Sequence, residues 1–178
     1  FTNIKNFKKN FLRKIFILLI FVISDVIYQN FNLKDIFGYE IQESHGRRLS
    51  GPFGDEGVAG SYIGKLFFFG ALYLYSFNLG KKIILPLIIL SLVTIILTNE
   101  RAASIMFFTA SLIFLTFFFE NNFKKFLFII FFLIFTLVIL NINNNIKSHF
   151  VDTPIKYFKD NHHKAHFLTS IEIFKDNK

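Results

Sequence analysis

The sequence contains no cysteine, which excludes a disulfide framework, a thiolate metal site and a cysteine nucleophile, and leaves the redox compartment open. It also has no Gly-Lys-Ser/Thr and no Gly-x-Gly-x-x-Gly spacing, so neither a P-loop nor a dinucleotide-binding fingerprint is written into it. No internal repeat is evident. Acidic residues are sparse, 12 against 20 Lys and Arg, for a formal charge of +8. A nucleic-acid partner is one meaning of such a charge. The basic residues stand between apolar runs, however, and not along one soluble face, which argues against it. Position 1 is Phe rather than Met, so a start beyond the true N-terminus is expected. No small-residue cleavage site follows Ile15 to Tyr28, which argues against a signal peptide.

What the sequence has in quantity is hydrophobic residues, 53% of the chain, 28 of its residues being Phe. A bias toward AT-rich codons accounts for the choice of Phe, Ile, Lys and Asn, but not for their clustering. Ile83 to Leu97 and Phe126 to Ile142 are nearly unbroken apolar runs, too apolar for the single stripe of a soluble helix. Five spans follow: Phe11 to Tyr28, Val58 to Leu79, Ile83 to Thr98, Ala102 to Phe119 and Phe126 to Ile142. The expected fold is all-α, a polytopic helical membrane protein with about five transmembrane helices that belong to a larger bundle. Residues 1–142 form the bundle and 143–178 begin an extramembrane domain. Lys5, Lys8, Lys9, Arg13, Lys14, Lys81, Lys82, Lys124 and Lys125 fall on one side. Only Lys34, Arg47, Arg48 and Arg101 occupy the short loops of the other. The positive-inside rule therefore puts the N-terminus in the cytoplasm. The third span, at ~1.5 Å per residue, is shorter than the roughly 30 Å hydrocarbon core. Its outer end is expected to be recessed, with Arg101 facing a protein-lined, wet cavity.

The segment from His45 to Tyr62 concentrates glycines, Arg47, Arg48, Asp55 and Glu56 at the approach to the second span. It reads either as a glycine-rich turn with solvated charges or as an anion site. In the second case adjacent guanidiniums offer planar donors, and glycines let backbone N–H groups come close. Glu100-Arg101 is either a salt pair at a helix turn or a functional pair, the second being the default for ionisable groups at membrane depth. Asp25 and Gln29 lie one helical turn apart and can both point into the bundle to hydrogen-bond a partner. Lys65 can snorkel outward or pair with Asp25, snorkelling being preferred. His162, His163 and His166, with Asp152 and Asp160 nearby, complete no metal motif. From Ala165, residues Phe167, Leu168, Ile171 and Phe174 follow helical spacing.

Four clusters occur in order: Asp25-x-x-Tyr28-Gln29; Asp35-Ile36-Phe37-Gly38; Arg48-Leu49-Ser50-Gly51-Pro52-Phe53 with Asp55-Glu56 and Gly60-Ser61-Tyr62; and Asn99-Glu100-Arg101-Ala102. Together they resemble the O-antigen ligase and O-antigen polymerase superfamily of bacterial inner-membrane glycosyltransferases. The resemblance runs across most of the chain. It implies a GT-C-like bundle with a large periplasmic loop, and an N-terminal or middle fragment of such an enzyme, acting in lipopolysaccharide biosynthesis. Glycan would move from undecaprenyl diphosphate to lipid A core in a ligase, or to another repeat unit in a polymerase. The resemblance further implies that Arg48 and Arg101 are the catalytic arginines holding the lipid diphosphate. The expected substrate-binding set is Arg47, Arg48, Glu56, Glu100, Arg101, Asp25 and Gln29, with Glu56 and Glu100 orienting the arginines. No cofactor and no metal are expected, and the active site would face the periplasm. The general base of the ligases is a histidine late in the large loop, and His166 is not taken for it. His166 to Asn177 looks like the run that in the family precedes a Pro and a Gly-x-Gly element, so the fragment alone is expected to be inactive. The competing readings are a non-catalytic transporter of the same lipid diphosphate and a structural membrane subunit.

Overall fold

The computed structural model describes residues 2–41, 47–76, 80–118, 121–142, 144–159 and 161–176. Within them the chain is all-α, apart from bridge residues such as the isolated antiparallel pair Lys34 and Glu40. Helix α1 is Thr2–Asn32, α2 is Ala59–Tyr75, α3 is Gly80–Leu97, α4 is Arg101–Phe118 and α5 is Asn122–Ile142; a 3-10 turn, Gly51–Phe53, precedes α2. Each apolar run read from the sequence falls on one of these helices. The expected ends at Phe77, Asn78, Leu79 and Phe119 lie outside the described residues, as do His45 and Gly46 of the glycine-rich segment. Further on come α6 (Asn144–Lys147), a π turn (Ser148–Asp152), α7 (Thr153–Lys159) and α8 (Asn161–Asp176). The helix expected from Ala165 is thus part of α8. His162, His163 and His166 belong to α8 as well, but their side chains lie outside the described residues. The chain divides into two compact units, Phe1–Leu133 and Ile134–Lys178, with the division inside α5 and not after Ile142.

In the first unit, α1 buries Leu19, Val22, Ile23 and Val26, and α2 buries Ile63, Phe67, Ala71 and Leu74, the three-to-four spacing of one helix face. Gly70 lets these helices close. A Cβ there would stand 3.0 Å from Leu19 Cδ2 and 3.2 Å from Phe16 Cδ2, and one turn away Phe16 stacks on Tyr73. Helix α3 is the most enclosed, burying Ile84, Leu87, Ile88, Leu92, Ile95 and Ile96 with Ser91 and Thr94, and Thr98 is buried just past its end. The threonine hydroxyls donate back to Leu90 O and Ile95 O, which satisfies them without a partner helix. Pro86 lies inside this helix and removes one donor from its ladder. Helix α4 buries Ala103, Ser104, Phe107, Ser111 and Leu115, with the Phe107 ring edge-on to Phe67 at 5.2 Å. The α5 part of this unit is joined through Phe132, fully buried and stacked on Phe108.

The outward faces are also apolar. On α1 these are Ile17, Phe21, Tyr28 and Phe31; on α4, Ile105, Met106, Ile113 and Phe117. Helix α4 is long and apolar enough to cross a membrane by length and composition, yet only 28% of it is buried within the chain. The apolar stretches Lys82–Leu97 and Lys125–Ile139 are shorter.

Candidate functional site

Most of the singled-out residues gather at one end of the bundle, where α1 ends, α2 begins and α3 turns into α4. Helix α1 stops at Leu33, whose φ of 63° puts it in the left-handed region, the usual conformation just past a helix C-terminus. Its N–H still bonds Gln29 O. Asp25 and Gln29 are both buried, as one shared helix face requires. Their bonds run to neighbouring loop segments of the chain itself. Asp25 Oδ1 accepts from Ile36 N–H at 2.9 Å. The Gln29 amide donates to Ser50 Oγ at 3.3 Å and accepts from Gly51 N–H at 2.8 Å. Gly51 has φ +54°, and a Cβ there would come within 2.8 Å of Val26 Cγ2. The turn leading to α2 is thereby seated against α1. These contacts give Asp25 the task of holding the loop after α1 and Gln29 that of holding the turn that follows Arg48. Gln29→Leu keeps the volume but leaves Gly51 N–H and Ser50 Oγ without their partner. It is expected to destabilise the unit by about 1–3 kcal/mol, read as a lower thermal midpoint of the purified protein in detergent. An unchanged midpoint would remove this assignment.

The α3–α4 turn is built on Asn99, whose φ of 57° is a conformation that Asn tolerates better than most residues. From there its side-chain amide donates to Arg47 O at 3.0 Å. Next to it, the buried Glu100 carboxylate accepts from Gly60 N–H at 2.6 Å, Ser61 N–H at 3.1 Å and Ser61 Oγ at 2.8 Å. Val58 flanks α2 without a side-chain cap of its own. Glu100 therefore caps α2 from 40 residues downstream, placing a negative charge at the positive end of the helix dipole. Glu100, expected to orient an arginine, thus has a structural role that its own sequence neighbours do not signal: its carboxylate accepts hydrogen bonds from the α2 terminus. Glu56, expected in the same role, is exposed, and its backbone N–H bonds Phe53 O.

Arg48 is half-buried, with its side chain laid over Gly57; a Cβ at that glycine would be 3.1 Å from Arg48 Cδ. Its Nε is buried and has no hydrogen-bond partner among the described residues. Arg101 opens α4 and is half-buried, its Nε enclosed. Arg47 is exposed and contributes its carbonyl to the Asn99 bond. Lys65 does not pair with Asp25, which is taken by Ile36. It is exposed, with Nζ 6.0 Å from the centroid of the Tyr62 ring, at the limit of a cation–π contact. Beside the capped α2 terminus an apolar groove of about 220 Å³ opens between α2 and α4, lined by Gly64, Phe68, Met106 and Phe107 among others, with Ser61 and Lys65 as its polar members.

In the sequence Asn99 and Ser61 stand out only as parts of motifs. Their structural roles depend on partners far along the chain, Arg47 and Glu100, so no local spacing signals them. No family model, curated protein or solved structure matches the chain.

Proposed function

We propose that the chain is part of a polytopic inner-membrane glycosyltransferase of the O-antigen ligase type, with its N-terminus in the cytoplasm. On this reading it binds an undecaprenyl-diphosphate-linked glycan at the end of the bundle described above and passes the glycan to lipid A core. The observation that carries the proposal is the Asn99–Arg47 hydrogen bond of 3.0 Å. It ties the Arg47-Arg48 segment to the turn that carries Arg101, so two guanidiniums distant in sequence share one end of the bundle. The large exposed apolar side chains of α1, α4 and α5 support the membrane part, because soluble monomers rarely leave so much apolar surface uncovered. The alternation of helix ends supports the topology: the end holding Arg48 and Arg101 is the one reached with fewer Lys and Arg in its connections.

In the reaction, an acceptor hydroxyl oxygen attacks the anomeric carbon of the first sugar. The bond from that carbon to the diphosphate oxygen breaks, and the diphosphate keeps the electron pair. Arg48 and Arg101 stabilise the growing negative charge through charge-assisted hydrogen bonds. The acceptor proton passes to a histidine base carried by the large periplasmic loop. The groove between α2 and α4 offers apolar room for the start of the lipid chain. The test is an assay of membranes carrying the full-length gene product, supplied with a lipid-diphosphate-linked glycan and lipid A core. Glycan on lipid A core is the expected result. Elongation of the lipid-linked glycan would instead assign a polymerase, and donor binding without transfer in either assay would overturn the enzyme reading.

A further inference from the structure

The loop that follows α1 is built inside out. The backbone N–H groups of five consecutive residues are all bonded within the chain. Asp35 N–H donates to Tyr39 O (3.0 Å), Ile36 N–H to Asp25 Oδ1 (2.9 Å), Phe37 N–H and Tyr39 N–H to Asp35 Oδ1 (2.9 and 2.7 Å), and Gly38 N–H to Asp35 O (3.1 Å). The carboxylates that accept these bonds point inward, Asp25 being 2% and Asp35 3% exposed, while Ile36 and Phe37 are 49% and 63% exposed. A loop in water leaves its N–H groups to solvent and has little reason to turn carboxylates in and aromatics out. A segment that enters an apolar medium must satisfy its backbone internally, and this one does. The apolar surface continues along α1 through Phe31, Tyr28, Phe21 and Ile17, all exposed. Tyr28 and Tyr39 supply the amphipathic rings that settle at headgroup level. At the neck of the loop Lys34 and Glu40 pair at 3.0 Å, both well exposed.

We infer that residues 33–39 form an interfacial anchor. Ile36 and Phe37 sit among the upper acyl chains of the leaflet at the α1 C-terminal end, and the Lys34–Glu40 pair remains at the headgroups. The loop fixes the depth of the Ser50–Gly51 turn through Asp25 and Gln29, and the Tyr39 ring lies against Gly54, 3.5 Å from where its Cβ would be. With the N–H groups of residues 35–39 already engaged, that stretch has no backbone donor to offer an added strand of a protein partner. This inference rests on the membrane part of the function proposed above and is independent of the chemistry.

The sequence has no tryptophan, so Phe37→Trp introduces a single emitter at an exposed position. In vesicles of phosphatidylethanolamine and phosphatidylglycerol its emission is expected to be blue-shifted and quenched by lipids brominated high on the acyl chain. It should also be severalfold less sensitive to iodide than free tryptophan. Phe21→Trp, on the same face of α1, is the control and should be quenched by deeply brominated lipids. Water-like, iodide-quenched emission from Phe37→Trp with lipid quenching of Phe21→Trp would overturn the anchor and leave the membrane span standing. Water-like emission from both would overturn the two together. A blue shift without bromolipid quenching would mean that protein covers the loop, and would also overturn the anchor.

Discussion

Arg48→Lys in the full-length gene product is expected to lower glycan transfer by about 10²–10³-fold, the loss typical when one preorganised donor to a developing oxyanion is removed, while the protein still folds and inserts. The substitution keeps the positive charge and much of the aliphatic stem that lies over Gly57. What it removes is the planar fork and the Nε donor, which is already buried without a hydrogen-bond partner among the described residues. A buried donor held open is costly to leave unmade, and a diphosphate oxygen is the acceptor that the proposed reaction brings. Lysine presents a point charge in place of a bidentate fork, so charge alone should not restore the rate. Arg101→Lys is expected to act in the same direction. The measurement is the initial rate of transfer onto lipid A core at saturating donor, with membrane levels of each variant matched. Normal rates in either variant would remove that arginine from the diphosphate role.

How far the molecule was legible from its sequence depended on the distance over which each feature is decided. The helices could be read because their apolar residues are contiguous: each run determines its own helix, whatever the run packs against. Asp25 and Gln29 could be placed on a buried face because their spacing is a property of one helix. The capping role of Glu100 could not be read. Its sequence neighbour Arg101 suggests a local pair, whereas its partners at Gly60 and Ser61 sit on another helix and are brought near only by the packing of α2 against α3 and α4. The same limit hid the inverted loop. Asp35 can be recognised as a turn residue, but turning it inward depends on Asp25 reaching Ile36 across the end of α1. The division between the compact units falls within an unbroken apolar run, where composition carries no mark of it.

The tertiary cap on α2 yields the largest expected effect on stability. Glu100→Ala removes an acceptor serving two backbone N–H groups and the Ser61 hydroxyl at once. Hydrogen bonds to a charged group contribute about 1.5–3 kcal/mol, and a negative charge at a helix N-terminus adds roughly 0.3–1 kcal/mol. These terms share one carboxylate and are not additive, so a loss of about 2–4 kcal/mol is expected. Glu100→Gln keeps one carbonyl oxygen but turns the other position into a donor facing donors, so its loss should fall between wild type and alanine. Gly60→Ala strikes the same joint sterically, because its Cβ would stand 2.6 Å from Thr98 Oγ1 and 3.1 Å from Glu100 Oε1. Overpacking of this kind costs about 1–3 kcal/mol. The two mechanisms separate in a double-mutant cycle: Thr98→Ala deletes the nearest clashing atom, so it should recover part of the Gly60→Ala loss but none of the Glu100→Ala loss. Thermal midpoints of the purified variants in one detergent provide the readout. Additive behaviour of Gly60→Ala with Thr98→Ala would mean that α2 does not approach the α3–α4 turn as closely as described. The cap would then have to be abandoned.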